Sequence, residues 1–357
     1  MSASKVFFQA VDCEEKPKAL ARKVRLLFEA ADLGACVGRN DFTAVKLHFG
    51  DRKNDTHIPP QLVKPVVEAV KKRHGRVFLT ETCVLYKSPR NNAVEHIQLA
   101  LEHGFTPQNV RAPIVIADGL LGNMAREVAI PGKIFEKVSI ARMALDAGAM
   151  MVLSHVTGHI GTGLGGAIKN LGMGLASRKG KLRQHSVMKP AIAAKKCTGC
   201  WVCLDHCPED AISQNGEIAA IDGRRCIGCG ECLTVCLFDA VEFDWKRKDY
   251  DLQQRMAEHA LGAVIGKPGK VGYMNFLLSV TKDCDCFSTQ QTPIIPDIGI
   301  LAGTDPVAID AASLDLIREE QGKTLADMSY PGVDPYVQLR HAEAIGLGSM
   351  EYELIGI

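Results

Sequence analysis

Residues 197–208 read CTGCWVCLDHCP, and residues 226–237 read CIGCGECLTVCL. Both obey C-x2-C-x2-C-x3-C, and the match runs on into Ala211-Ile212 and Ala240-Val241, so the stretch is an internal repeat of one half-module. In such a run three closely spaced thiolates grip one 4Fe–4S cluster, while the fourth cysteine reaches across to the other. The spacing predicts Cys197, Cys200, Cys203 and Cys236 around one cluster, with Cys226, Cys229, Cys232 and Cys207 around the second. Turns at Gly199 and Gly228 would aim backbone N–H groups at the clusters. Leu237 stands where the first half has Pro208. Four-thiolate zinc sites use two separated C-x2-C knuckles instead of a triple run.

Outside this stretch the chain alternates strand and helix patterns. Lys5–Val11, Phe42–Phe49, Arg76–Thr80, Ile114–Ala117 and Ala149–Ser154 read as strands. Lys18–Leu33, Leu62–Lys72 and Ala93–Glu102 read as helices, with a further helix around Ile140–Ala147. Pro65 falls in the first turn of its helix or just beyond, where proline costs least. Lys71-Lys72-Arg73 closes that helix with positive charge that suits its dipole. The pattern stops near Val187 and resumes after Trp245, with a helix at Leu252–Ile265 and a strand at Ile298–Leu301. Asp305-Pro306 and Asp334-Pro335 then open two more helices by the same capping chemistry.

Such alternation predicts an α/β fold, a mainly parallel sheet with helices on both faces. Neither flank is a complete domain by itself. The expected organisation is therefore 1–187 and 246–357 as two parts of one α/β domain, interrupted by an α+β ferredoxin-type insert over 188–245; three domains in a row are the alternative.

Composition narrows the classes of function. The chain has 357 residues, a formal net charge of +1 and 6% aromatic residues. No global field and no stacking platform point to nucleic acid. No apolar run approaches the roughly 20 residues of a membrane span, and the start lacks the sections of a signal peptide. An odd count of 13 cysteines argues against a closed disulfide framework and for metal ligation in a reducing cytoplasm. An anaerobic or microaerobic host is expected.

After the strand at 149–154 comes Ser154-His155-Val156-Thr157-Gly158-His159, then Gly161, Gly163, Gly165 and Gly166 in a GxGxxG string, and a helix-like segment bearing Lys169. Free N–H groups at a helix start favour an anion, and Lys169 adds a charge or a nucleophile. His155 and His159 are candidate proton donors and acceptors. The H-x3-H pair lacks the glutamate of a zinc protease. His48, Asp51, Asp55 and His57 gather after the second strand, where open α/β sheets bind ligands. Cys284 and Cys286 form a C-x-C pair, read as two partly buried free cysteines with metal binding as the alternative. Cys13, Cys36 and Cys83 sit singly in core-like segments.

The chain resembles the family catalogued as domain of unknown function 362, the uncharacterised Fe–S-centre proteins. The likeness rests on Ala44–Gly50, Ser154–His159, Gly165–Gly174, the cysteine repeat and Asp305–Asp310, and it implies cluster binding. A fainter similarity is to the lactate racemase family, in which a histidine, a glycine-rich turn and a lysine bearing a nickel-pincer cofactor occur in the order of His159, Gly165-Gly166 and Lys169. Asp55–Pro60 is similar to that family's acid-and-proline loop, although an arginine expected there is replaced. Lactate racemases also lack a ferredoxin insert.

The expected function is that of an oxidoreductase passing single electrons through two 4Fe–4S clusters to an anionic substrate or cofactor at the Gly161–Gly166 loop. A redox partner protein would supply the electrons, and an additional flavin or nickel cofactor is a further expectation. A non-catalytic carrier or docking protein is one alternative. A hydroxy-acid isomerase-like enzyme with structural clusters is the other.

Overall fold

The computed structural model describes residues 3–12, 15–185, 189–226, 228, 230–243 and 251–357. Among them, eight strands form the main sheet: β1 (Ser4–Ala10), β2 (Phe42–Lys46), β3 (Arg76–Glu81), β4 (Ile114–Ile116), β5 (Ala149–His155), β6 (Val271–Leu277), β7 (Gly299–Gly303) and β8 (Tyr352–Gly356). Their spatial order is β8-β1-β7-β6-β5-β2-β3-β4. All neighbours run parallel except β7, which is antiparallel to both β1 and β6. The predicted mainly parallel sheet is thus present, with one strand reversed inside it.

Apolar residues alternate along the central strands and feed two cores, one on each face. Val45, Met151, Leu153, Met274 and Phe276 face α1 (Pro17–Ala30) and α2 (Pro60–Lys72). Ala44, Met150, Val152, Tyr273 and Leu277 face the opposite layer. That layer holds α4 (Ala167–Gly172), α6 (Leu252–Val264), α7 (Pro306–Gln321) and α8 (Tyr336–Ala344). Two further helices are α3 (Ala93–Glu102) and α5 (Arg178–Gln184). Asp305 caps α7 as its position predicts, accepting from the N–H groups of Val307 (2.8 Å) and Ala308 (3.1 Å).

Three local expectations change. The segment around Ile140 is not a helix throughout: Lys137–Ala141 pairs with Ala125–Ala129 as a small hairpin, and only Arg142–Asp146 is helical. Valine and isoleucine at alternate positions favour the strand there. Helix α2 starts at Pro60, which puts Pro65 in its second turn. Strands β6 and β8 complete the sheet without having been foreseen.

The cysteine-rich stretch contributes no strand to the main sheet among the described residues. Pro190–Ile192 pairs antiparallel with Val241–Phe243, and Ile212–Asn215 with Ile218–Ile221. Because Pro190 is the register partner of Phe243, the stretch leaves and returns at one place. Strands β6, β7 and β8 then rejoin the sheet begun by β1 to β5. The stretch has a small apolar core of its own, which includes Ile212, Leu233 and Val241 and is closed by Leu85 and Leu182 from the surrounding chain. Lys179 on α5 is ion-paired with Glu231. The expected boundaries at 187, 188 and 245 lie outside the described residues, as do Cys13 and Cys229.

Candidate functional site

The carboxyl ends of β2, β3, β5 and β6 point to one side, the usual ligand-binding side of an open α/β sheet. A cavity of about 860 Å³ opens there, a size suited to a small molecule. Lys46 ends β2 and His48 follows it, Glu81 ends β3 with Thr82 next, His155 ends β5, and Cys284 to Cys286 follow β6.

Positive charge is in excess on these walls. Lys46 is fully buried, 2.9 Å from Glu81 Oε1 and 2.6 Å from Asn170 Oδ1. Lys181 donates to Thr82 Oγ1 and, at 2.7 Å, to Ala176 O. Burial pulls Lys181 down to about 8 against the opposing charges of Asp118 and Glu81. Lys169 also lines the cavity, and burial brings it to about 8 despite Asp285 and Glu81. Among the described residues, no hydrogen-bond or ion-pair partner reaches its ammonium. A cation that has lost water and gained no counterion is ready for an anionic ligand.

The two histidines differ in hydrogen bonding. His155 Nδ1 lies 3.0 Å from both oxygens of Asp285, and its Nε2 lies 2.9 Å from Leu278 O and 3.2 Å from Ser279 O. Backbone carbonyls only accept, so Nε2 carries a proton, and the carboxylate draws a second onto Nδ1. Burial alone would lower the pKa of this ring, but Asp285 raises it. His155 is thus placed as the anchor of Asp285, with both protons committed. His159 is the reverse. The N–H groups of Gly161 and Thr162, each at 3.1 Å, donate to its Nδ1. Burial, then the charges of Lys169 and His185, push it well below the usual histidine range. It is neutral, with its proton on Nε2.

The glycine loop is closed by its own backbone. Thr157 and Gly165 exchange N–H···O bonds of 3.1 and 2.9 Å. Gly163 has a φ of +68° and faces Val333 O, where a Cβ would lie at 2.8 Å. Gly161, Gly165 and Gly166 line the cavity. The N–H groups at the start of α4, which the sequence suggests for a bound anion, belong to Asp310: its carboxylate accepts from Ala167 (2.7 Å), Ile168 (2.9 Å) and Asn275 Nδ2 (2.8 Å). Gly166 permits this approach, since a Cβ there would sit 2.4 Å from Asp310 Oδ1. Burial raises Asp310 to about 6 against those donors. Replacing Asp310 by alanine would orphan three buried donors and is expected to lower unfolding free energy by roughly 3 to 6 kcal/mol. A denaturant midpoint close to that of the parent chain would refute this anchoring role.

Of the cluster after β2, only His48 reaches the cavity among the described residues. Asp51 pairs with the buried guanidinium of Arg90 at 3.0 Å, and Arg90 Nη1 lies 2.8 Å from His48 Nε2. His57 stacks on His103 with 4.8 Å between rings, and burial lowers it to about 4. Asp55 lies away from the cavity. Lys46, Glu81, Asn170 and Lys181 were not singled out from sequence. The usable signal was Lys46 in the apolar run Ala44–Phe49, because a lysine in a core strand is rare without a partner.

Among the described residues, the repeat cysteines fall in two groups. Burial, then the sulfurs of Cys200, Cys236 and Cys197, push the Cys203 thiol up. Cys207, Cys226 and Cys232 line one small cavity together with Pro208 and Gly230. Backbone N–H groups face sulfurs at Cys207 (3.2 Å, from Ala211), Cys226 (3.4 Å, from Gly228), Cys236 (3.4 Å, from Ala240) and Cys197 (3.5 Å, from Ala219). Elsewhere, Cys284 and Cys286 are joined as a disulfide, which corrects their reading as free thiols. With a ring nitrogen of His159 they form a candidate metal-binding group whose atoms lie within 4.8 Å of one another. Cys36 and Cys83 are buried singly.

This is an α/β protein with a cavity, lined by the lysines Lys46, Lys169 and Lys181, at the carboxyl edge of a mainly parallel sheet. More particularly, the chain belongs to the family described as Domain of unknown function (DUF362), which it matches over residues 43–315. Among solved structures it is similar to the lactate racemase apoprotein from Thermoanaerobacterium thermosaccharolyticum, with 11% identity over 76% of this chain and a TM-score of 0.41. A Thermotoga maritima protein from a structural genomics consortium is similar at 12% identity over 73% of this chain, with a TM-score of 0.38. This chain spans 50% of each of those chains. None of the curated proteins matches it in sequence. No helix among the described residues is long and apolar enough to cross a membrane.

Proposed function

We propose that the chain is an iron–sulfur oxidoreductase that holds two 4Fe–4S clusters in a ferredoxin-type insert spanning about residues 188–245 and acts on a small anionic substrate in the adjoining cavity. The observation that carries this reading is the sorting of cysteines across the two repeats. Cys203 feels the charges of Cys197 and Cys200 of its own half and of Cys236 of the other, which raise its pKa along with burial. Cys207 shares a cavity with Cys226 and Cys232. That is the crossed pattern the spacing predicts.

The donor chemistry supports iron. Four sulfurs crowded together repel one another once ionised, and a cationic centre relieves that repulsion. The N–H groups facing Cys197, Cys207, Cys226 and Cys236 are of the kind that tunes a cluster's potential. When bound, the clusters supply electrons one at a time.

The remaining work falls to the chain's own side chains. Lys169 holds the anionic group of the substrate, while Lys46 and Lys181 set the potential around it. His159, neutral and protonated on Nε2, donates a hydrogen bond to the developing charge. His155 keeps Asp285 ionised and fixed at the cavity wall. Leu85 lines the cavity and also packs into the core of the cysteine-rich stretch, so the two parts share a wall.

Purification without oxygen is expected to give a brown chain carrying about eight iron atoms and about eight sulfides, with paramagnetic signals after reduction. Colourless material holding zinc and no iron would sink the proposal.

A further inference from the structure

We propose that Cys284 and Cys286 form a dithiol–disulfide couple on the cavity wall, exchanging two electrons with low-molecular-weight thiols. The inference concerns a site apart from the cysteine repeat and does not rest on cluster binding.

The bond joining the two residues has little to do for stability. It closes a loop of only three residues, so it removes little freedom from the unfolded chain. The loop is also held without it. Asp285 bridges to His155 at 3.0 Å, Thr56 Oγ1 at 3.2 Å and Asn54 Nδ2 at 3.3 Å. The N–H of Asp51 donates to Asp285 O at 3.1 Å. Tyr86 Oη donates to Cys286 O at 3.2 Å, and Gln291 Nε2 to Cys284 O at 3.3 Å. A segment pinned on both sides of each sulfur can open and close its disulfide while its backbone stays in place.

The location suits exchange chemistry. Both cysteines line the cavity with Lys169 and His159. Ile160 and Phe287, also on its walls, are 58% and 39% exposed, so a small thiol has a way in. A ring nitrogen of His159 lies within 4.8 Å of both sulfurs, and Lys169 adds a positive charge to the same cavity, the kind of surroundings in which thiol exchange proceeds. A metal ion fits less well. His159 Nδ1 already accepts two backbone N–H groups, so its other nitrogen bears a proton and offers no lone pair.

In the reducing direction one thiol attacks a cysteine sulfur as its thiolate, forming a mixed disulfide and releasing the other cysteine, which takes up a proton. A second thiol attacks the sulfur of the first, and the remaining cysteine leaves and is protonated. Two thiols become one small disulfide, and the pair gains two electrons and two protons.

The test uses the full chain purified without oxygen and equilibrated in buffers of reduced and oxidised glutathione. Free thiols are trapped with one alkylating tag in acid-quenched samples, and the rest with a second tag after complete reduction. Trypsin cleavage after Lys282 and Arg318 yields a peptide whose cysteines are Cys284 and Cys286 alone, so mass spectrometry reads this pair apart from the other thiols. The expected result is a reversible change from no first tag to two, with singly tagged peptide scarce throughout. In Cys286→Ser, Cys284 is expected to carry a glutathione adduct in oxidised buffer, with the thermal midpoint of the chain unmoved. A pair that stays bonded in native protein under excess reductant would overturn the proposal. So would a pair that remains thiol under excess oxidant, or one that holds zinc in a one-to-one ratio and is tagged only after chelation.

Discussion

Replacing Cys207 and Cys232 together by alanine is expected to leave the chain with about half its iron, in one undamaged cluster. The two residues lie in different repeats, yet they line the same small cavity. If each repeat held its own cluster, the same pair of changes would damage both sites, and iron would fall well below half. The proposed crossed arrangement would instead concentrate the damage in the site of Cys207, Cys226 and Cys232. The proposed site of Cys197, Cys200, Cys203 and Cys236 would keep every ligand. Spectroscopy sharpens the result. Two reduced clusters close together broaden each other's paramagnetic signals, so the variant should give the sharper signal of a single isolated centre. Iron loss from both sites would refute the crossed ligand sets. Because cluster binding and folding of so small a core are coupled, the variant is also expected to lose protease resistance between Cys207 and Cys236.

The frame of the fold was legible wherever burial is periodic and uninterrupted. The strands beginning at Phe42, Arg76 and Ala149 are near-continuous apolar runs because both of their faces are covered, and such runs announce buried parallel strands. Asp305-Pro306 announced its helix because the cap and the fixed φ of proline act locally. Strand β6 was missed because Gly272, Tyr273 and Asn275 break the apolar run, although all of it is buried. Asn275 is there to meet Asp310, a partner that only the folded chain brings near. The same limit applies to the site. Lys169, His159 and the glycines stand in one segment and were found together. Lys46, Glu81 and Lys181 come from three separate elements, and nothing local marks them as neighbours. The glycine loop misled for a related reason. Its geometry is that of an anion site, but the anion at the start of α4 is Asp310 from within the chain, far away in sequence.

Lys169→Met is expected to make the protein more stable and worse at its task. Burial holds Lys169 at about 8 in the folded chain against an ordinary value of 10.5. Below about pH 8 both folded and unfolded chains carry the proton, so the full cost of burying the charge is present. Between about 8 and 10.5 the unfolded chain holds a proton that the folded chain has released, so stability rises with pH across that window. At pH 7 the cost is on the order of 3 kcal/mol, and methionine, of similar length and apolar, removes it. The gain should appear as a higher denaturant midpoint at pH 7 and should vanish near pH 10.5. Binding should move the other way. Small carboxylates that raise the thermal midpoint of the parent chain should bind the variant roughly 10- to 100-fold more weakly, the worth of one charge-assisted contact. In the parent chain their affinity should fall as pH passes about 8 and the ammonium loses its proton. Lys169→Arg, which stays charged, should carry binding to higher pH. A methionine variant that is no more stable at pH 7 and binds the same anions as tightly would remove Lys169 from the site. The cavity would then need another residue to account for its excess of positive charge.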